Sequence, residues 1–131
     1  MKEPPPLIDS VRIIRYCCFS AEIHPTGRRR IFIGDDQLDL NRVRALSIGE
    51  NLVDGGLMLL HCASNWDALA GFHYESTAAA EDGANSAYTG ALLSWESFRE
   101  LTSAELAEIE NVRVELNASA HEHPDSSENE A

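Results

Sequence analysis

The sequence predicts a single small α+β domain, with a mostly antiparallel sheet packed by two or three helices. Three observations carry this. Short runs rich in β-branched, aromatic and other apolar residues, at 11–23 and 57–62, read as strands. Alanine-rich or three-spaced apolar stretches between and after them read as helices. The chain has 131 residues, 44% of them apolar, which suits one core-bearing domain. Residues 1–10 are expected to be a flexible lead-in, 11–117 the domain, and 118–131 a disordered acidic tail.

In order, Pro4-Pro5-Pro6 removes backbone donors and favours a loose, extended start. Residues 11–23, VRIIRYCCFSAEI, predict one long strand, although Ile13-Ile14 and Cys17-Cys18-Phe19 break its alternation. His24-Pro25-Thr26-Gly27 is a turn. Residues 30–33 predict a second strand in a hairpin with the first, closed by Gly34-Asp35-Asp36. Asp39 can cap a helix over 40–53, since Leu40, Val43 and Leu46 form a stripe, with Gly49 weakening its middle.

Residues 56–96 organise the rest. Leu57–Cys62 is nearly continuous apolar sequence, the mark of a strand covered on both faces. Ala63-Ser64-Asn65 is a turn, and 66–74 a second extended segment carrying Trp66, Phe72 and Tyr74. Ser76 or Thr77 can cap a helix with Ala80, Ala84, Ala87 and Tyr88 on one side and Glu81, Asp82 and Asn85 on the other. Gly90 ends it, and 91–95 predicts a third strand. Thr102-Ser103-Ala104-Glu105 is a capping box. A helix over 103–110 and an edge strand over 112–116 are expected, with a single helix through Leu116 as the alternative. The last residues contain no large apolar side chain, which predicts disorder.

Charge is the least ordinary property, with a net of −12. Residues 1–44 hold eight basic and six acidic side chains. Residues 45–131 hold two arginines against sixteen acids. Such a surface repels nucleic-acid phosphate and anionic lipid and attracts a basic protein. The expected partner is therefore a basic protein, not nucleic acid or membrane. The start, MKEPPPLIDS, has no apolar core of a secretory signal, and no run approaches the length of a membrane helix. Three cysteines make no disulfide framework, which predicts a reduced, cytoplasmic protein.

Catalytic and metal chemistry find little support. Cys17, Cys18, Cys62, His24, His61 and His73 lack C-x-x-C and H-E-x-x-H spacing. Cys17 and Cys18 must face opposite sides of a strand, as must His61 and Cys62. His121 and His123 flank Glu122 in a nonspecific H-x-H. Ser64, Ser94 and Ser97 lie in no nucleophile elbow, and Gly55-Gly56 starts no phosphate loop. Neither metal nor cofactor is expected. Glu22 and His24 share a strand face, as an acid/base pair or as solvated side chains. Arg28-Arg29-Arg30 could grip phosphate or an acidic peptide; the favoured reading is a solvated turn neutralised by the many carboxylates, because no aromatics interleave with it.

Trp66 is either a cap on the core or an exposed contact residue. If exposed, it gives an aromatic anchor with an acidic rim, and the candidate partner-binding residues are Trp66, Asp67, Glu75, Glu81 and Asp82. The run LLHCASNW, a strand, ESTAAAEDGANSAYTG and LLSW resembles the layout of small bacterial immunity proteins. That resemblance covers under a third of the chain. It implies a compact acidic α+β domain, without catalytic groups, that inhibits a basic toxin or nuclease. The alternative is a small enzyme or ligand-binding domain with a pocket around Cys17, His24, His61 and Trp66.

Overall fold

A computed structural model describes residues 2–122 and the side chains of 2–118. The strands are β1 (Leu7–Ile8), β2 (Val11–Cys18), β3 (His24–Pro25), β4 (Phe32–Ile33), β5 (Asp36–Gln37), β6 (Ala45–Asn51), β7 (Leu57–Cys62), β8 (Ala68–Tyr74), β9 (Tyr88–Thr89) and β10 (Glu96–Ser97). The helices are α1 (Thr77–Ala87) and α2 (Ser103–Glu122). The main antiparallel sheet runs β1-β2-β6-β7-β8, and β10 also pairs with β2. The mixed α+β class and antiparallel sheet are as expected, with two α-helices.

The sheet separates two apolar layers. On one face Cys17, Leu46, Ile48, Leu59 and Ala70 pack with Ala80, Ala84 and Ala87 of α1. Small alanines let α1 lie close on the sheet. The other face holds Tyr16, Ala45, Leu60 and Cys62, with Ile8, Val11, Ile13 and Trp66. Cys17 and Cys18 do face opposite ways, as do His61 and Cys62.

The expected helix over 40–53 is instead a short 3-10 turn, Leu40–Arg42, followed by strand β6. Asp39 does cap, accepting from the Asn41 amide, but the helix stops after one turn. Ala45, Leu46, Ser47 and Ile48 are all fully buried. This is a central strand covered on both sides, so it has no polar face to betray its period. Gly49 belongs to that strand. A Cβ there would collide with the Arg12 carbonyl and lie 2.7 Å from Val11 Cγ1. Nearby, β2 shifts register between Ile13 and Arg15, which explains its broken alternation.

Other expectations also change. The first strand ends at Cys18, not Ile23. The 30–33 segment pairs with β5, while β3 pairs with β9. Residues 91–95 form no strand; α1 passes into β9, and the chain next meets β2 at Glu96–Ser97, with the Phe98 amide donating to the Ile14 carbonyl at 2.7 Å. The strand expected over 112–116 is helix, continuous with the capping box. Ile109 is buried, and Val112 and Leu116 are half-buried three and seven residues on, so the helical period wins over the alternation of 112, 114 and 116. Helix α2 also passes residue 118, where the tail was expected to begin; residues 123–131 lie outside the described residues. The N-terminal segment is tied down: Pro4 is buried, and the Ile13 amide donates to the Pro6 carbonyl at 2.9 Å.

Candidate functional site

The two edges of the sheet differ. The outer edge of β2 is covered in two pieces, by β1 at Val11–Arg12 and by β10 at Arg15–Tyr16. β8 pairs with β7 alone. Among the described residues no backbone hydrogen bond reaches its other side. In an antiparallel strand every second residue turns its N–H and C=O outward, so β8 presents a row of open donors and acceptors. Its sequence, ALAGFHY, carries no lysine, carboxylate or proline to guard the edge; a register shift against β7 leaves Leu69 as an extra, bulged residue between Ala68 and Ala70, so the regular open edge runs from Ala70 to Tyr74. Gly71, Phe72 and His73 are exposed.

The expected partner-binding residues separate around this strand. Asp67 and Glu75 are exposed and flank β8 at its two ends, about 25 Å apart for eight residues of strand. Asp82 is exposed on the outer side of α1. Glu81 turns inward, its Oε2 3.4 Å from Arg15 Nε. Trp66 is buried at 7% exposure, edge-on to Tyr16. Its indole N–H donates to the Lys2 carbonyl at 2.9 Å, and its backbone φ is +72°. Its ring caps the core and offers no surface anchor.

A cleft of about 280 Å³ lies on the α1 face of the sheet, lined by Arg29, Arg30, Ile31, His61, Phe72, His73, Tyr74, Gly83 and Ala87. His61 is 3% exposed, and burial pushes its pKa down to about 4. Its Nδ1 lies 2.8 Å from the Tyr88 hydroxyl. Burial raises the phenol of Tyr88, which stays protonated. Arg29 Nε donates to Ser86 Oγ at 2.9 Å. The arginine run was expected to be neutralised by carboxylates. Among the described residues, no carboxylate lies within 4.0 Å of Arg28, Arg29 or Arg30. Sequence reasoning missed this cleft because Arg29 and Arg30 lie 32 and 31 residues before His61 and meet it only through the fold.

The pocket expected around Cys17, His24, His61 and Trp66 does not form. Trp66 is on the opposite face from His61. His24 is exposed and donates from Nδ1 to the Glu22 carbonyl at 3.0 Å, while the Glu22 carboxylate accepts from Ser20. The acid/base pair is therefore not assembled. Burial pushes the Cys17 and Cys62 thiols up to about 11, which suppresses thiolate and nucleophilic reactivity. Among the described residues no three His, Cys, Asp or Glu side chains converge on a metal position. No described helix is long and apolar enough to cross a membrane. No family model matches the chain, and no curated protein or solved structure matches it.

Proposed function

We propose that the protein is a noncatalytic acidic binding module that takes an extended segment of a basic protein along the open edge of β8. The observation that carries this reading is an edge strand without lysine, carboxylate or proline, regular from Ala70 to Tyr74 beyond its bulge and bracketed by Asp67 and Glu75. A strand added there gains main-chain hydrogen bonds. Carboxylates at both ends favour a segment with lysine or arginine at its ends. The same charges disfavour a second copy of this chain, because antiparallel pairing of β8 with itself would bring Asp67 against Glu75. The rest of the acidic surface speeds encounter with a basic partner. A basic toxin or nuclease, the kind of partner the immunity-protein layout implies, fits this description.

The test starts with a pull-down from native lysate and continues as kinetics with the protein recovered. His73→Lys places an edge lysine beside Asp54, whose Oδ2 is 4.0 Å from the present His73 Nε2. The fold should tolerate it, and strand addition should not. Dissociation is expected to accelerate by about tenfold or more, with an unchanged thermal midpoint. Equal binding by wild type and His73→Lys would move the interface away from β8.

A further inference from the structure

The cleft beside His61 has a chemistry that the partner-binding edge does not use. We infer that it is a binding site for a small aromatic carboxylate. Phe72, Tyr74, Ile31 and Ala87 give the cleft its aromatic and apolar lining, with Arg29 and Arg30 also lining it. Its volume of about 280 Å³ is at the small end for ligand sites, room for a ring and one acidic group.

The polar groups favour an anion. Arg29 is held by its Nε on Ser86, which leaves the terminal nitrogens of the guanidinium for a bidentate partner. In a chain with 22 acidic residues, a run of three arginines without a described carboxylate neighbour leaves its positive charge for a ligand. His61 supplies the second recognition element. The Tyr88 hydroxyl is buried, and its one hydrogen-bond partner among the described residues is His61 Nδ1. A buried hydroxyl left without an acceptor is costly, so the phenol donates to Nδ1. The neutral ring then carries its proton on Nε2. That nitrogen has no partner among the described residues. It is therefore a free donor on a nearly buried side chain, suited to one carboxylate oxygen while the arginines take the other.

The aromatic lining selects against bare inorganic anions. Phe72 packs edge-to-face on His61 at 5.8 Å, so a flat ring entering the cleft extends an existing aromatic stack. Gly83 keeps the α1 side low: a Cβ there would meet the Tyr74 ring, whose Cζ would be 2.8 Å away.

The probe is benzoate, titrated into the full chain and followed by NMR of the His61 ring and the arginine side chains. Benzylamine and inorganic phosphate serve as controls. Saturable shifts of the His61 ring with benzoate, and none with benzylamine, are expected. Arg29→Ala and Arg30→Ala, both exposed positions, should each weaken benzoate by about tenfold without moving the thermal midpoint. His61→Gln, which keeps a donor, should retain more affinity than His61→Leu. Phosphate binding as tightly as benzoate would overturn the aromatic selectivity. The absence of saturable shifts with benzoate, or affinity indifferent to both arginine substitutions, would overturn the site. None of these outcomes depends on whether β8 binds a protein strand.

Discussion

His61 is buried as a neutral ring, and the sign of its effect on stability follows. Its pKa falls from 6.5 to about 4 on folding, so between those values the unfolded chain binds the extra proton. Stability is complete above the unfolded value and is lost as pH falls from about 6.5 towards about 4. A shift of this size corresponds to roughly 3 kcal/mol. Urea denaturation at about pH 7 and about pH 5 should show this loss, and His61→Gln should flatten the difference. Equal slopes for wild type and variant would place the ring in water. Trp66 makes a contrasting case. It was legible as an aromatic beside a turn, which fits a surface anchor and a core cap equally. The Lys2 carbonyl that fixes its indole is 64 residues away, beyond any local pattern. Trp66→Ala should therefore destabilise by about 3–5 kcal/mol, as large-to-small core changes do. The thermal midpoint of the isolated protein checks this.

At the level of elements, local capping chemistry was the most legible feature. The Thr102 hydroxyl accepts from the Glu105 amide at 3.1 Å, and the Glu105 carboxylate accepts from the Thr102 amide at 2.9 Å. Glu105 also meets Arg99, and hydrogen bonding from Arg99 first and Thr102 second holds its carboxyl down to about 2. Thr102→Ala should cost about 1 kcal/mol, read as a lower urea midpoint. Ser76, one of the two residues considered, caps α1 by accepting from the Ala79 amide. The central strand β6 was not legible, because burial on both faces removes the alternation that identifies a strand. Leu40 and Val43 are buried from the turn before β6, so the three-residue spacing that implied a helix arises from a turn joined to a strand. Gly49→Ala is expected to destabilise strongly, since the added carbon meets backbone on β2. A Gly49→Ala protein as stable as wild type would contradict the strand register.

At the scale of the whole molecule, charge and sheet edges act together. Both arginines after residue 44 are occupied internally: Arg99 by Glu3 and Glu105, Arg113 by Glu50 and Glu110. Asp67, Glu75, Asp82, Glu96, Glu100, Glu108 and Glu115 have no described cation within 4.0 Å. This carboxylate excess should make association with a basic partner steeply salt-dependent, as the screening length falls from about 10 Å at 0.1 M to about 3 Å at 1 M. Neutralising Asp67, Glu75 and Asp82 together should slow association and flatten that dependence. The charge was legible from composition. The open edge was not, because which strand lies outermost is a property of the assembled sheet.

The most direct measurement is hydrogen–deuterium exchange of the free protein and of its complex with the partner recovered from lysate. If a partner strand adds to β8, new amide protection should concentrate between Ala68 and Tyr74, where open donors become paired. The outer edge of β2, already covered by β1 and β10, should change little. Protection confined to α2 or to the β2 edge, with β8 exchanging as in the free protein, would contradict strand addition at β8.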